Sequence, residues 1–204
     1  EIGDFKKIKS FLIKEKIDLT IVGPEEPLVN GITDFLEENG LKVFGPDKFC
    51  SQLEGSKIFT KKICKKFQIP TAEFGIFQNK SDAKSFLEKS KYPTVIKADN
   101  LASGKGVYIC NNKNEGDIAI DEIFEGKFGK AENILIEEFL EGEEMSYFII
   151  SDGNIIKGFE TAQDHKRVLE GDKGKNTGGM GAYSPSRLIT EELEKKIINK
   201  IIKP

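Results

Sequence analysis

A loop of small residues between two β-rich segments constrains the fold of this chain more than any other feature. The two segments are Thr94–Ala98 and Val107–Cys110. The pattern predicts two strands, the first of which places Lys97 in a cleft. Gly104 and Gly106 let backbone N–H groups approach a phosphate without an intervening Cβ. Lys97 and Lys105 beside such a loop indicate a polyphosphate ligand, and a hairpin with a solvated lysine at its tip is the alternative.

The overall composition excludes several classes of function. The 204 residues include 31 basic and 34 acidic side chains, so the charge balance does not favour a nucleic-acid groove or an anionic membrane surface. The apolar runs are much shorter than the roughly 20 residues that span a bilayer, and no signal-peptide pattern opens the chain. The three cysteines are widely spaced and lack metal-ligand spacing. We therefore expect a cytoplasmic protein with small-molecule partners, no nucleic acid and no membrane.

The first 50 residues have the pattern of a βαβ unit in an open parallel sheet. Residues 17–22 predict a strand, residues 28–39 a helix that ends at Gly40, and residues 41–44 a second strand. Ligands of such sheets bind at the carboxyl ends of the strands, which makes residues 23–27 a candidate binding edge. A Pro/Gly turn without a ligand is the alternative.

The rest of the chain predicts a helix and then a mixed α+β region. Ser56 is a candidate N-cap for a helix that ends at Phe67. Strands are predicted over residues 73–77, 133–138, 145–150 and 155–160, and helices over 81–90 and about 117–124. The fold class is therefore α/β followed by α+β.

The second chemical signal is a predicted buried strand that runs into clustered carboxylates at residues 134–144. Burying unpaired charge is costly, so the cluster needs an explanation. An adenine amino group and ribose hydroxyls are donors that carboxylates accept from, and Glu137 and Glu144 are placed to do so. A solvated acidic turn is the alternative.

A third signal combines the single histidine with a glycine-rich segment. His165 lies between Asp164 and the cations Lys166 and Arg167, and residues 176–185 follow with three glycines in 178–181. Such a cluster favours an anionic substrate over a purely structural role.

Together these motifs resemble the phosphoribosylamine–glycine ligase (glycinamide ribonucleotide synthetase) family, which are ATP-grasp enzymes of purine biosynthesis. The matching strings are residues 18–28, 52–57, 97–107, 136–144, 163–167 and 176–185. Departures are small: Asn100 stands where the family usually has glycine, and Lys175 where proline is common. The family's amino-terminal Gly-rich motif and its carboxyl-terminal acidic/Asn metal motif are not in this chain, which we interpret as a fragment lacking both ends.

The resemblance implies an ATP-grasp fold preceded by the end of a Rossmann-like domain. The implied division is residues 1–50 for that remainder, 51–70 for a linker helix, 71–160 for the ATP-grasp lid, and 161–204 for the start of the larger subdomain.

The resemblance also implies roles for single residues. The implied ATP-binding residues are Lys57, Lys97, Gly104, Lys105, Gly106, Glu137, Glu138, Phe139, Leu140 and Glu144. Among these, Lys97 and Lys105 would stabilise phosphate charge in catalysis, Glu137 would accept from the adenine amino group, and Glu144 would hold the ribose. The implied phosphoribosylamine site comprises Gly23, Pro24, Glu25, Pro27, Asp164, His165, Lys166, Arg167, Asn176, Thr177, Gly178, Gly179 and Met180. No metal site is expected in this chain, since the ligands for Mg²⁺ (or Mn²⁺) are expected beyond Pro204.

The implied reaction joins glycine to phosphoribosylamine through a glycyl phosphate at the expense of ATP. Another ATP-grasp carboxylate–amine ligase is one alternative. The ATP lysines are common to the whole superfamily, so they do not separate the two readings, whereas residues 163–185 do. A nucleotide-binding fragment without catalysis is the other.

Overall fold

The computed structural model describes residues 1–99, 106–129, 131–171 and 173–204, with the backbone alone at 173, 175 and 176. Gly104 and Lys105 of the predicted phosphate loop, and Asn100, lie outside the described residues. By contact density the chain divides into two units, Glu1–Phe139 and Leu140–Pro204, which are described separately below. Our four-part domain division stays a prediction.

The first unit opens with a small parallel α/β segment. Its elements are α1 (Phe5–Lys14), β1 (Thr20–Ile21), α2 (Glu25–Val29), α3 (Ile32–Glu38) and β2 (Val43–Phe44). Strands β1 and β2 pair in parallel, as the βαβ pattern predicts. The predicted single crossover helix is wrong, because the chain breaks between α2 and α3 at Gly31, whose φ of +89° ends helical geometry. Gly40 at φ +71° ends α3 in the predicted left-handed conformation.

Two helices lead from this segment to the main sheet. They are α4 (Gln52–Gly55) and α5 (Lys57–Phe67). Ser56 caps α5 as predicted, since its Oγ accepts a hydrogen bond from the Phe59 N–H at 3.1 Å. The helix therefore begins at Lys57 and presents this side chain in its first turn.

A four-stranded antiparallel sheet forms the centre of the first unit. Its strands are β3 (Phe74–Phe77), β4 (Thr94–Ala98), β5 (Val107–Cys110) and β6 (Ile134–Glu138), in the order β3-β6-β4-β5. Helices α6 (Lys80–Leu87) and α7 (Lys113–Phe124) pack on one face. The core between them contains Ala83, Leu87, Ile96, Ala98, Cys110, Ala119, Ile120, Ile123, Ile134 and Ile136. The predicted β4–β5 hairpin and the buried strand before the acidic cluster are confirmed.

The two faces of this sheet differ because side chains alternate along each strand. Ile96 and Ile136 face the helices, so their neighbours Lys97 and Glu137 lie on the other face. This alternation places two charged groups next to each other on a sheet face that α6 and α7 do not cover.

The second unit is a set of short antiparallel pairs. Its elements are β7 (Ile149–Ser151), β8 (Ile156–Gly158), β9 (Gln163–Asp164), β10 (Arg167–Leu169), β11 (Lys173–Asn176), β12 (Ala182–Tyr183), α8 (Glu191–Ile197) and a π-helical turn (Ile198–Ile202). The pairs are β7–β8, β9–β12 and β10–β11. Strands β7 and β8 are shorter than predicted. They are exposed along their whole length, so no buried apolar contacts stabilise a longer pair of strands. Within the described part of the chain, no helix has the length and apolarity needed to cross a membrane.

Candidate functional site

The two residues that the sequence singled out for phosphate and base meet in the sheet. Lys97 on β4 and Glu137 on β6 form an ion pair, with Nζ 2.7 Å from Oε2. Glu137 is only 6% exposed, whereas the Lys97 side chain is 27% exposed. The carboxylate is therefore a fixed, buried acceptor, and the lysine reaches solvent beside it.

A second lysine, which our sequence reasoning missed, contacts the same carboxylate. Lys61 on α5 is 8% exposed, and its Nζ lies 3.1 Å from Oε1 of Glu137. The contact is electrostatic, because Oε1 accepts no hydrogen bond of good geometry. Lys61 also donates to Thr71 Oγ1 at 2.6 Å and to the Ala72 carbonyl at 3.3 Å. The only signal in the sequence was its spacing of three residues from the buried Ile58, which puts it on the inner face of the helix.

Lys57 begins α5 next to the end of β4, where Asp99 ties the two elements together. The Asp99 carboxylate accepts from Ser56 Oγ at 3.1 and 3.2 Å and from the Ile58 N–H at 3.1 Å. Burial lowers the pKa of Lys57 below its ordinary value; the charge of Asp99 opposes this shift, and that of Lys97 adds to it. Phosphate oxygens near these two ammonium groups would relieve the like-charge repulsion.

Four more of the predicted ATP-binding residues lie at the end of β6, directly after it, or just before β5. Glu138 is exposed, and its Oε1 accepts from the Glu73 N–H at 3.0 Å. Phe139 is half-buried, and Leu140, the first residue of the second unit, is 64% exposed. Gly106 is buried, and its carbonyl accepts from the Ala98 N–H at 2.9 Å, which closes the hairpin onto β4.

Within the second unit, the two segments predicted to hold the substrate lie side by side. The His165 N–H donates to the Gly181 carbonyl at 2.9 Å, and the His165 carbonyl accepts from the Met180 N–H at 2.8 Å. The Thr177 N–H and Oγ1 both donate to the Lys166 carbonyl, at 2.7 and 2.9 Å. These hydrogen bonds hold the backbone of residues 165–166 against that of residues 177–181.

Charged side chains of this unit have definite partners. Lys166 pairs with Glu144, the residue predicted to hold the ribose, at 2.5 Å, and this hydrogen bond raises the pKa of Lys166. Arg167 donates to the Gly174 carbonyl at 2.8 Å. Arg187, which we did not predict to matter, donates to both carboxylate oxygens of Glu143 at 2.7 and 2.8 Å.

The amino-terminal candidate edge is partly solvent-exposed. Gly23, Pro24 and Glu25 are exposed where β1 leads into α2. Pro27 is fully buried, so its side chain supports the turn from inside. Of this group, the exposed residues are the ones that can reach a ligand.

The first unit also contains a cleft of about 420 Å³ near the end of α6. It is lined by Glu73, Phe74, Phe86, Lys89, Ser90, Lys91, Thr94, Ile136, Glu137 and Glu138. The lining thus combines Phe86 and Ile136 from the helix-covered side with Glu137, the partner of Lys97.

A protein site for a metal ion needs several ligating side chains close together. Among the described residues, no three His, Cys, Asp or Glu side chains come together in a group that could hold a metal ion.

Solved structures of low sequence identity share the fold of this chain. The biotin carboxylase domain of the 2-oxoglutarate carboxylase from Hydrogenobacter thermophilus superposes with a TM-score of 0.77 at 21% identity, covering 98% of this chain and 44% of that one. At this identity the likeness shows the fold alone. The class is shown by a sequence model of an ATP-grasp domain that matches residues 55–204, and the short parallel α/β segment precedes it in the chain.

The particular family follows from closer matches. The sequence model described as "Phosphoribosylglycinamide synthetase, ATP-grasp (A) domain" matches residues 55–204, and the one described as "Phosphoribosylglycinamide synthetase, N domain" matches residues 1–54. The chain is 48% identical to the phosphoribosylamine–glycine ligase of Mesorhizobium japonicum over 100% of its length and 48% of the relative. The crystal structure of the Thermotoga maritima phosphoribosylamine–glycine ligase superposes with a TM-score of 0.80 at 35% identity, covering 94% of this chain and 47% of that one. The chain therefore belongs to the phosphoribosylglycinamide synthetase family and spans about half the length of the curated relatives it matches, and the predicted family and fold class are confirmed.

Proposed function

We propose that this chain carries the ATP site, and part of the substrate site, of an ATP-dependent phosphoribosylamine–glycine ligase. The observation that carries the proposal is the convergence of Lys57, Lys97 and Glu137 at the face of the sheet opposite α6 and α7. The two ammonium groups supply the positive charge that phosphates need, and the buried carboxylate is an acceptor for the adenine amino group. Family membership supplies the substrates, because the relatives named above are phosphoribosylamine–glycine ligases.

In this proposal most of the nucleotide contacts come from residues of the first unit. Lys97 and Lys57 neutralise phosphate oxygens, and Lys105 and the glycines of its loop contribute further donors. Glu137 accepts from the adenine amino group, Glu138, Phe139 and Leu140 line the base, and Glu144 holds the ribose. Fixed charges of this kind stabilise a phosphoryl-transfer transition state without reorganising when the reaction occurs.

The second unit, in the same proposal, contributes to the phosphoribosylamine site. Lys166 and Arg167 offer positive charge, and the backbone N–H groups of residues 178–181 offer donors for a phosphate. The hydrogen bonds between His165 and residues 180–181 support this assignment, because they bring the cations and the glycine segment to one place. The exposed residues 23–25 are a further candidate contact.

The reaction we propose has two steps. The carboxylate of glycine attacks the γ-phosphorus of ATP, which releases ADP and forms glycyl phosphate. The amine of phosphoribosylamine then attacks the acyl carbon and displaces phosphate, and the product is glycinamide ribonucleotide. The chain's own residues bind, orient and neutralise charge in both steps. A divalent cation such as Mg²⁺ is expected to draw its ligands from beyond Pro204.

The test is substrate dependence of ADP release by the protein that contains this chain. Release should require glycine and phosphoribosylamine together and should fall when either is omitted. Equal release with a different carboxylate or amine acceptor would identify another ATP-grasp ligase. Binding of nucleotide without release of ADP under any of these conditions would show that the protein only binds nucleotide, and it would overturn the proposed activity.

A further inference from the structure

Lys61 is more deeply buried than a lysine on a helix normally is, and the proposed function does not use it. Lysine is almost never fully buried unless it is paired. Here the pairing is complete: Nζ contacts Thr71, the Ala72 carbonyl and Glu137, and it lies 5.3 Å from the centre of the Phe74 ring. Two hydrogen bonds, to Thr71 and Ala72, and an electrostatic contact with Glu137 therefore hold the Lys61 ammonium group in the protein interior.

Glu137 therefore lies between two lysines of different character. Oε1 faces the buried Lys61 on α5, and Oε2 faces the partly exposed Lys97 on β4. Lys97 is the residue assigned to the phosphates, so it has to give up part of its contact with Glu137 when ATP binds. A buried carboxylate left without a cation is strongly destabilising.

We propose that Lys61 is a positioning residue that stays on Glu137 and thereby frees Lys97 for the phosphates of ATP. The inference rests on the proposed ATP site and goes beyond it. While Lys61 neutralises the carboxylate from inside, Lys97 can turn toward a triphosphate without leaving an unpaired buried charge. Without Lys61, the same carboxylate retains Lys97.

The geometry separates this role from direct phosphate binding. Lys61 donates inward to Thr71 and Ala72, which follow α5 in the chain, and it is less exposed than Lys97. Its effect on ATP has to pass through Glu137 and Lys97. It follows that removing Lys61 should weaken binding of the triphosphate while leaving binding of the nucleoside nearly unchanged.

The experiment measures the dissociation constants of ATP and of adenosine for the protein that contains this chain, in the wild type, Lys61→Met and Lys61→Arg. Lys61→Met should weaken ATP at least about tenfold and adenosine by less than about threefold. Lys61→Arg keeps the positive charge and should retain more ATP affinity than Lys61→Met. Lys62→Met, at an exposed position next to it on α5, is the matched control and should change neither constant.

A second background tests the route of the effect. In Glu137→Gln the carboxylate no longer retains Lys97, so adding Lys61→Met should change ATP affinity by less than about threefold. Equal weakening of ATP and adenosine, an undiminished effect in the Glu137→Gln background, or wild-type affinity in Lys61→Met would each overturn the inference. Circular dichroism establishes folding, and Lys61→Gln replaces Lys61→Met if the latter does not fold. A wild-type protein that binds no ATP would instead refute the proposed function itself.

Discussion

At the scale of single residues, the Glu137 carboxylate is the central group of the proposed site. It is almost fully buried, yet it has a lysine on each side, 2.7 Å and 3.1 Å away. A buried charge of this kind is retained only with such partners, and its position is fixed by the strand that carries it. An adenine amino group is a donor from which such a fixed carboxylate can accept a hydrogen bond.

Lys97 should matter more than any solvated lysine of the chain. We expect Lys97→Met to slow the ATP-dependent step by about two orders of magnitude, which is the usual effect of removing one charge-stabilising donor. The measurement is steady-state ADP release at saturating ATP. Lys157→Met, at an exposed position on β8, is the control and should leave the rate unchanged. Near-normal turnover of Lys97→Met would contradict the assignment.

Lys57 provides a pH-dependent prediction. Burial holds its pKa below the ordinary lysine value, and a bound phosphate favours the charged form. ATP affinity should therefore fall as the pH rises through the pKa of Lys57, and the fall should begin at a lower pH than for an exposed lysine. Titrations of ATP across the alkaline range would measure it. Lys57→Arg, which stays charged, should flatten this part of the profile, and parallel profiles for both proteins would refute the assignment.

At the scale of elements, the start of α5 is held to the end of β4 by Asp99. Because one carboxylate accepts from both Ser56 and the Ile58 N–H, the helix that carries Lys57 and the strand that carries Lys97 have a fixed spacing. The two lysines come from segments about 40 residues apart. The hydrogen bonds of Asp99 therefore help to set the distance between the two ammonium groups.

Asp99→Ala should affect both stability and nucleotide binding. Loss of a helix-capping acceptor destabilises by about 1–2 kcal/mol, and the freed helix start should also lower ATP affinity. Chemical denaturation and calorimetric ATP titration measure the two effects. The control is Asn112→Ala. The Asn112 side chain caps α7 by accepting from the Glu115 N–H, so its loss should lower stability without changing ATP affinity. The same ATP affinity in both variants would show that Asp99 serves the helix alone.

Sequence reasoning was most accurate where local pattern and burial agree. The β-branched runs predicted β4 and β5 at their observed bounds, because both strands pair within the sheet. The crossover helix was predicted as one piece, since the apolar spacing continues across Gly31 although the backbone there does not. Lys61 could not be predicted from a helix rich in lysines, because its burial depends on Glu137, 76 positions away in the sequence.

At the scale of the whole molecule, the chain holds one part of a larger family architecture. All of this chain aligns with the Mesorhizobium japonicum relative, but the alignment covers only 48% of the length of that relative. The described residues include candidate residues for binding the nucleotide and for part of the phosphoribosylamine site. No group of the described His, Cys, Asp and Glu side chains could hold a metal ion.

We predict that a polypeptide limited to residues 1–204 binds adenine nucleotide weakly and forms no glycinamide ribonucleotide. The reason is that about half of the residues present in the relatives lie outside this range, and the remaining substrate contacts are expected among them. The assay supplies ATP, glycine, phosphoribosylamine and Mg²⁺ and measures incorporation of radiolabelled glycine. Product formation by this polypeptide would show that those further residues are dispensable.

The central claim is the position of ATP on the sheet face that carries Glu137 and Lys97. The most direct test is a crystal structure of the protein containing this chain with a non-hydrolysable ATP analogue. The account predicts the adenine amino group within hydrogen-bond distance of Glu137, and phosphate oxygens at Lys57 and Lys97, with Lys61 still on the carboxylate. An analogue bound in the cleft beside Phe86, Lys89 and Lys91, with the Lys97–Glu137 pair untouched, would contradict it.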